Sequence, residues 1–445
     1  MADLNELQSA QAIKIIGSDL SGVETYPVGS TPFGELKVTM SSSAGDAFGR
    51  VRMSQPFTLG DYKHLYGIDP NFIDHSENGG SVAFQTNQAC ARLSTTSNSA
   101  SRIVHQSKFY HHYMPGKSQL ILSSIVFYAA TANVAKRTGY YDDNNGIFFE
   151  QEGNGTLNIV LRSYVTGSPV DNRIPQSSWN VDRCDGTGDS AFNLDITKTQ
   201  LIFIDFQWLG VGRVRVGFAH NGSFITAHEF SGSNNLDVVY MSNPNLPVRC
   251  EVVNSGVTTG AFMDQICSTV LSEGGYVEAG QDWSTENPTL RTLGIGATLP
   301  IFAIRLKTTF RTYLNRMIVR LGNVNLFSDS GNVSYRIAKL PNAASLTGGT
   351  GVWTSVDAES GVEYYDTATG YSNESVMDGG YVVSAVNGGN KSGGSPGSNL
   401  PSSAKKNYIV QNYDSTDSEI YVIIAKNIDT KATEVGAHFQ WREIY

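Results

Sequence analysis

Gly212-Arg-Val-Arg-Val-Gly-Phe-Ala-His-Asn-Gly-Ser-Phe-Ile-Thr-Ala, residues 212–227, decides the fold. Successive side chains of a strand point to opposite faces, so Val214, Val216 and Phe218 share one face while Arg213 and Arg215 share the other. That pattern gives a core face and a face for solvent or a partner. Asn221-Gly222 follows at once, and both residues tolerate the positive φ that a two-residue hairpin demands. A second hairpin is expected at Asn145-Gly146, between 137–141 and 147–150.

Working outward, strands are expected at 119–128, 146–150, 156–164, 200–208, 211–219 and 223–230, a close spacing that suggests a sandwich. The polar run 278–288 reads as a boundary. A second series follows at 299–307, 315–321, 333–338, 380–385, 407–411, 419–425 and 436–442. Helical periodicity is confined to 5–16 and 309–320. Near the start, Gly34-Glu-Leu-Lys-Val-Thr-Met alternates after the Pro/Gly-rich run 26–33, as an extended arm that pairs with a neighbour would. The expected fold is therefore all-β: an extended N-terminal arm over 1–50, a central jelly-roll-like β-sandwich over 51–277 and a C-terminal β-sandwich over 278–445.

Composition agrees with that class and narrows the function. The chain has 445 residues, 45 of them glycine, and only 16% are charged, against roughly 25% in ordinary domains. Lys+Arg total 32 against 41 Asp+Glu, for a net charge of -9, so no broad cationic surface is expected to bind nucleic acid. The opening residues show neither a basic nor an apolar signal region, which points to folding in a cytoplasm. No stretch approaches the ~20 apolar residues of a membrane span. Cys90, Cys184, Cys250 and Cys267 are too dispersed for a disulfide scaffold or a zinc site, and read as buried free thiols.

Several stretches of the central block resemble a family of tailed-phage virion proteins, described as tail, head-fibre or minor structural components. They are Tyr113-Met-Pro-Gly-Lys-Ser-Gln-Leu-Ile-Leu, Arg137-Thr-Gly-Tyr-Tyr-Asp-Asp-Asn-Asn-Gly-Ile-Phe-Phe-Glu, Trp179-Asn, Asp205-Phe-Gln-Trp-Leu-Gly-Val-Gly-Arg-Val-Arg-Val-Gly-Phe, Asn245-Leu-Pro-Val-Arg and Ile266-Cys-Ser-Thr-Val-Leu-Ser-Glu-Gly-Gly. The resemblance covers about 51–276 and departs at Cys250, where an aromatic is expected. It implies a place in a virion and supplies no catalytic residues.

Candidate chemistry is sparse. His64, His75, His105, His111 and His112 lack a completing carboxylate spacing and read as polar surface residues, with no metal and no cofactor expected. Asp142-Asp-Asn-Asn-Gly could wrap Ca²⁺, but turn formation already accounts for it. Glycan hydrolysis needs two carboxylates roughly 5–10 Å apart, for which Glu150 with Glu152, Asp182 with Asp185 and Asp205 with Glu229 are candidates. Sugar rings stack on flat aromatics beside hydrogen-bonding groups, which singles out Tyr140, Tyr141, Asp142 and Asn144, Trp179 beside Asn180 and Asp182, and the group Trp353, Tyr364 and Tyr365. Trp208, inside an apolar strand, is expected in the core.

The expectation is a non-enzymatic structural protein of a bacteriophage virion, assembled in the host cytoplasm: a fibre, spike or decoration. Its partners would be other virion proteins, through the arm, and further copies of itself, as a homotrimer. A host-glycan-binding module is the alternative and a polysaccharide-degrading tailspike the third.

Overall fold

The computed structural model describes residues 16–18, 25–27, 55–277, 279–383, 398–399 and 408–445. The arm over 1–50, its alternating strand and the helical periodicity at 5–16 lie outside the described residues, apart from a short antiparallel pairing of Ile16–Ser18 with Thr25–Pro27.

The chain is all-β, as its patterning requires. Two antiparallel sheets face each other across one core. The first runs Val170–Pro175, Leu157–Ser163, Gly146–Gln151, Val134–Tyr141, Val248–Asn254, Arg102–Ser107, Phe72–Glu77. The second runs Ser223–Ser231, Arg213–His220, Gln200–Phe206, Gln119–Val126, Ala261–Ser272, Cys90–Thr95, Ser81–Gln85, with Phe57–Lys63 also pairing along Ala261–Ser272. Their inner faces supply one apolar cluster that includes Ile147, Phe149 and Val252 from the first sheet and Ile204, Val216 and Phe218 from the second. Burying side chains of this size contributes roughly 1.5–3 kcal/mol each, and alternation along each strand is what places them on one face.

Two further sheets are built from 281–444. Gln281–Glu286, Thr433–Ile444 and Ile318–Ser328 lie side by side in one. The other runs Thr354–Ser355, Val362–Tyr365, Thr298–Leu306, Ile420–Asn427, Val333–Leu340, Ser375–Val382. Phe302, Ile304, Phe439 and Trp441 are among the side chains that fill the space between them.

The hairpin at Asn221-Gly222 forms as its sequence demands. His220 pairs with Ser223, and Asn221 and Gly222 adopt φ of 50° and 78°. Two other expectations are corrected. The Asn145-Gly146 hairpin exists, but its turn is 142–145, closed by Asp142 N–H donating to Asn145 O, and Gly146 already pairs with Tyr141. Asp142 explains the shift: its carboxylate accepts from Asn144 N–H and Asn145 N–H at 2.8 Å each, and this local alternative outcompetes the two-residue turn. The 309–320 stretch is not a helix; it makes the strands Thr309–Phe310 and Tyr313–Leu314 and starts Ile318–Ser328. Within the polar run 278–288, Gln281–Glu286 is a strand that pairs along the last strand, with Arg442 clamping Asp282.

Residues 408–419 bring the second pair of sheets against the first sheet. Phe109 meets Tyr408 edge-on at 5.4 Å, the Arg316 guanidinium lies 4.7 Å from the centre of the Tyr110 ring, and Lys108 Nζ pairs with Glu419 at 3.3 Å. His75 stacks on Tyr413 at 4.2 Å with an interplanar angle of 13°. Among the described residues no helix is long and apolar enough to cross a membrane.

Candidate functional site

The face of the first sheet turned away from its core carries a connected network of charge. In-out alternation puts Arg137 on Val134–Tyr141, Glu150 on Gly146–Gln151 and Glu251 on Val248–Asn254 on that face, and register sets Arg137 directly between the two carboxylates. Arg137 Nε donates to Glu150 at 2.7 Å and its Nη1 to Glu251 at 3.2 Å. Arg173 reaches Glu150 from the other side at 2.8 Å, while Arg102 joins Glu251 at 2.6 Å to Glu77 at 3.0 Å. The result is an alternating chain of charge: Arg173, Glu150, Arg137, Glu251, Arg102, Glu77. Arg162 and Asp171 form a separate bidentate pair nearby, at 2.7 and 3.0 Å.

Arg249 lies at the centre, 1% exposed. Its Nη2 donates to Asp143 at 2.8 Å and to Glu251 at 3.3 Å, and its guanidinium carbon lies 5.0 Å from the Tyr141 ring centre and 5.6 Å from that of Tyr413. Tyr413 closes the arrangement: its hydroxyl donates to Asp143 and accepts from Arg102.

This geometry fixes the protonation states. Burial pushes the Glu251 carboxyl up, but Arg249, Arg137 and Arg102 overcome it and hold the group well below the usual carboxylate range. Glu150 is lowered too: burial is outweighed by its bonds and charge contacts with Arg173 and Arg137. Both are ionised at neutral pH, and neither holds the proton that a general acid must donate.

The other carboxylate candidates also have structural partners. Glu152 accepts from Asn158 Nδ2 at 2.9 Å. Asp182 accepts from Cys184 N–H and Ser190 N–H at 2.8 and 3.0 Å, and Asp185 from Thr187 N–H at 2.9 Å, so this pair builds turns. Asp205 and Glu229 flank Arg215 across three adjacent strands, and Asp205 is buried with Arg215 and the Ser118 hydroxyl.

The expected sugar platforms are split by strand geometry. Tyr140 and Tyr141 are neighbours on one strand and point to opposite faces; both are fully buried. Tyr140 donates to His111 O at 3.1 Å within the core, whereas Tyr141 donates to Glu251 at 3.4 Å. Asp142 is spent on its turn, and Asn144 donates its N–H to it. Trp179 is buried, with Nε1 donating to Ile174 O at 3.1 Å; Trp208 packs partly buried against the core and donates to Met241 O at 3.0 Å. In the other group, Trp353 meets Tyr365 at 5.4 Å and carries Arg305 4.2 Å from its ring centre. Tyr364 turns the other way, toward Phe302 at 5.5 Å.

Three histidines expected on the surface are buried instead. His64 accepts Asp69 N–H on Nδ1, so its Nε2–H donates to Gln265 Oε1 at 3.1 Å. His111 donates Nδ1–H to Leu246 O and accepts the Tyr62 hydroxyl proton on Nε2 at 2.8 Å. His105 stacks on Phe72 at 4.1 Å and bonds Asp74. Imidazole can find such partners inside a core, a use that spacing cannot reveal. Of the four thiols, Cys267 is exposed rather than buried, because it sits on the outer face of the second sheet. Among the described residues no group of three or more His, Cys, Asp or Glu could hold a metal ion.

Sequence reasoning missed a group on that outer face. Arg92 grips Asp264 through Nε and Nη2 at 2.8 Å each, and the Tyr128 hydroxyl donates to Asp264 at 2.6 Å. Tyr128 and Phe262 lie 4.8 Å apart, tilted by 57°, with the Arg92 guanidinium 4.5 Å from the Phe262 ring centre. These residues are scattered along the chain, so no local motif announces them; only the pairing of Arg92 with Asp264 across two strands brings them together.

No protein-family model and no curated protein matches the sequence. Among solved structures, a mixed-linkage glucan GH16 protein of Bacteroides ovatus aligns over 48% of this chain and 99% of its own, at 10% identity and TM-score 0.33. A legume lectin-like domain from Entamoeba histolytica aligns over 49% and 98%, at 8% identity and TM-score 0.29. An alginate lyase from a Chlorella virus aligns over 45% and 91%, at 10% identity and TM-score 0.28. At these values no activity transfers from them to this chain.

Proposed function

We propose that the protein is a non-enzymatic structural and display component of a bacteriophage virion. The virion assignment rests on the sequence resemblance across 51–276. The observation that carries the non-enzymatic part is the arginine pairing of Glu150 and Glu251, which keeps both carboxylates ionised and locked to neighbours. A face so arranged provides rigidity, and neither of these two carboxylates is a proton donor. Tyr413, docked onto that face, ties the second pair of sheets to the first, as suits a projecting element that must hold its shape.

Unpaired strand edges leave backbone groups that association would satisfy, and a homotrimer is the assembly we infer. Reconstruction of purified particles is the decisive experiment: density for this chain on capsid, collar or tail is expected, and its absence from the particle overturns the reading. Light scattering that gives a stable monomer at micromolar concentration removes the trimer. Release of reducing ends from host polysaccharide by the purified protein overturns the non-enzymatic reading.

Recognition of a host-surface glycan is a second reading, favoured by one observation: Tyr128 and Phe262 form an aromatic pair on an outer sheet face, with Phe262 40% exposed.

A further inference from the structure

We propose that Tyr128, Phe262 and Arg92 form a preorganised platform for a pyranose unit of a bacterial surface polysaccharide; this deepens the glycan reading of the display protein. Tyr128 holds φ of 59°, in the left-handed region that a bulky residue seldom enters. Such a conformation persists only where its surroundings impose it, and here they do so thoroughly. Lys136 extends from the first sheet and donates its ammonium to Phe127 O and, at 2.8 Å, to Ala129 O. Gln151, also from the first sheet, donates to Tyr128 O at 3.0 Å. Three successive carbonyls are thus held from beneath by two side chains that cross the core.

Lys136 is an expensive support. It is fully buried without a carboxylate partner in its hydrogen bonds, and burial lowers its pKa to about 8. A glycine or asparagine at 128 would take the left-handed turn at less strain. What tyrosine adds is a ring beside Phe262 and a hydroxyl on Asp264. The turn, its props and the Arg92–Asp264 clamp all serve to fix two rings on the outside of the molecule.

The chemistry fits a sugar. Two tilted rings offer an apolar surface to the C–H face of a pyranose. Arg92 uses Nε and Nη2 on Asp264, with Nη2 also on Tyr128, and this leaves Nη1 to donate to a ring hydroxyl or carboxylate. Ser94 and Ser124, on the same face of flanking strands, are small and polar. Beyond Ser124 the same face carries Leu201, exposed on the next strand, so the two rings are the apolar surface nearest Arg92. A shallow site of this kind binds weakly alone and gains strength from repeated copies.

The test uses the full chain on an array of immobilised bacterial capsular and O-antigen polysaccharides. Tyr128→Asn keeps a residue suited to the turn, and Phe262→Ser removes the exposed ring; thermal melting checks that both fold. Retention of at least one polysaccharide by the wild type, reduced tenfold or more in each folded variant and abolished by periodate treatment of the array, is the expected result. Retention that survives both substitutions overturns the platform and leaves the display reading standing, as does a wild type that retains nothing. Retention that survives periodate assigns the rings to a non-saccharide partner and overturns the proposal. Absence of the chain from purified particles, by contrast, removes the virion reading without touching the platform.

Discussion

The Tyr413 hydroxyl donates to Asp143 Oδ2 at 2.8 Å, joining a loop of the second pair of sheets to the 142–145 turn of the first. The same oxygen accepts from Arg102 at 3.2 Å and Arg249 at 3.4 Å. Tyr413→Phe keeps the ring stacked on His75 and removes all three bonds. A loss of about 1–3 kcal/mol is expected, since the partners are charged. Denaturant titration measures it, and Tyr413→Ala should further speed proteolytic separation of the two pairs of sheets. An unaltered digestion pattern in the alanine variant would show that Tyr413 does not hold them together.

Glu251→Gln removes the negative charge shared by Arg249, Arg137 and Arg102. Breaking a buried ion pair from one side strands its partners, and about 3–5 kcal/mol of stability should be lost. Glu77→Gln, at the exposed end of the same chain of charge, should cost below about 1 kcal/mol. Equal effects of the two substitutions on the unfolding midpoint would contradict this ordering.

Stability should fall on acidification in two stages. Burial lowers the His111 pKa from 6.5 to about 4, against the opposing effect of the bond it donates to Leu246 O. Between these values the unfolded chain binds the proton and the folded chain does not, so stability is complete above 6.5 and declines as pH drops toward 4, by up to about 3 kcal/mol. Below the ordinary carboxylate range, Glu251, Glu150 and Asp143 add a further loss, because their folded-state values are depressed. His111→Asn should flatten the slope between pH 6.5 and 4. A slope that stays unchanged in that variant assigns the effect to another group.

Gly222→Val tests the hairpin at the tip of the second sheet. Nothing lies within 4 Å of the added Cβ, so steric crowding is absent and the backbone alone bears the change. With φ of 78°, a β-branched residue should cost on the order of 1–3 kcal/mol. Asn221→Gly, at φ of 50°, should leave the melting temperature nearly unchanged.

What the sequence disclosed follows from the range of the forces involved. Val214, Val216 and Phe218 could be placed inside from alternation alone, and Asn221-Gly222 from its dihedral needs, because both signals are local. The Asn145-Gly146 turn was misplaced because Asp142, three residues earlier, offered its carboxylate to the same backbone. Tyr140 and Tyr141 have the composition of a sugar site, yet Tyr140 is buried against residues as distant as Phe206 and Leu246, and Tyr141 between Phe148 and Val160 under Arg249. Tyr128 and Phe262 had no local signature, since Gln151 and Asp264, which hold Tyr128 together with the nearer Lys136, lie 23 and 136 positions from it. Chemistry assembled by strand pairing is invisible until the pairing is known.

The alternating charges also act as a proofreading device during folding. Slipping one strand by a single residue would turn Cys250 and Val252 out of the core, an error that hydrophobic burial already forbids. A slip of two residues keeps every inward face inward, and burial does not detect it. It would, however, set Glu251 opposite Gly139 or Ala135 in place of Arg137, and only the slip toward Ala135 brings another arginine, Arg102 on the other neighbouring strand, opposite it. Glu150 slipping along the same strand meets the same two uncharged residues. The row of arginines and glutamates thus penalises misalignments that the apolar pattern lets through, since each separates Arg137 from the two carboxylates it joins.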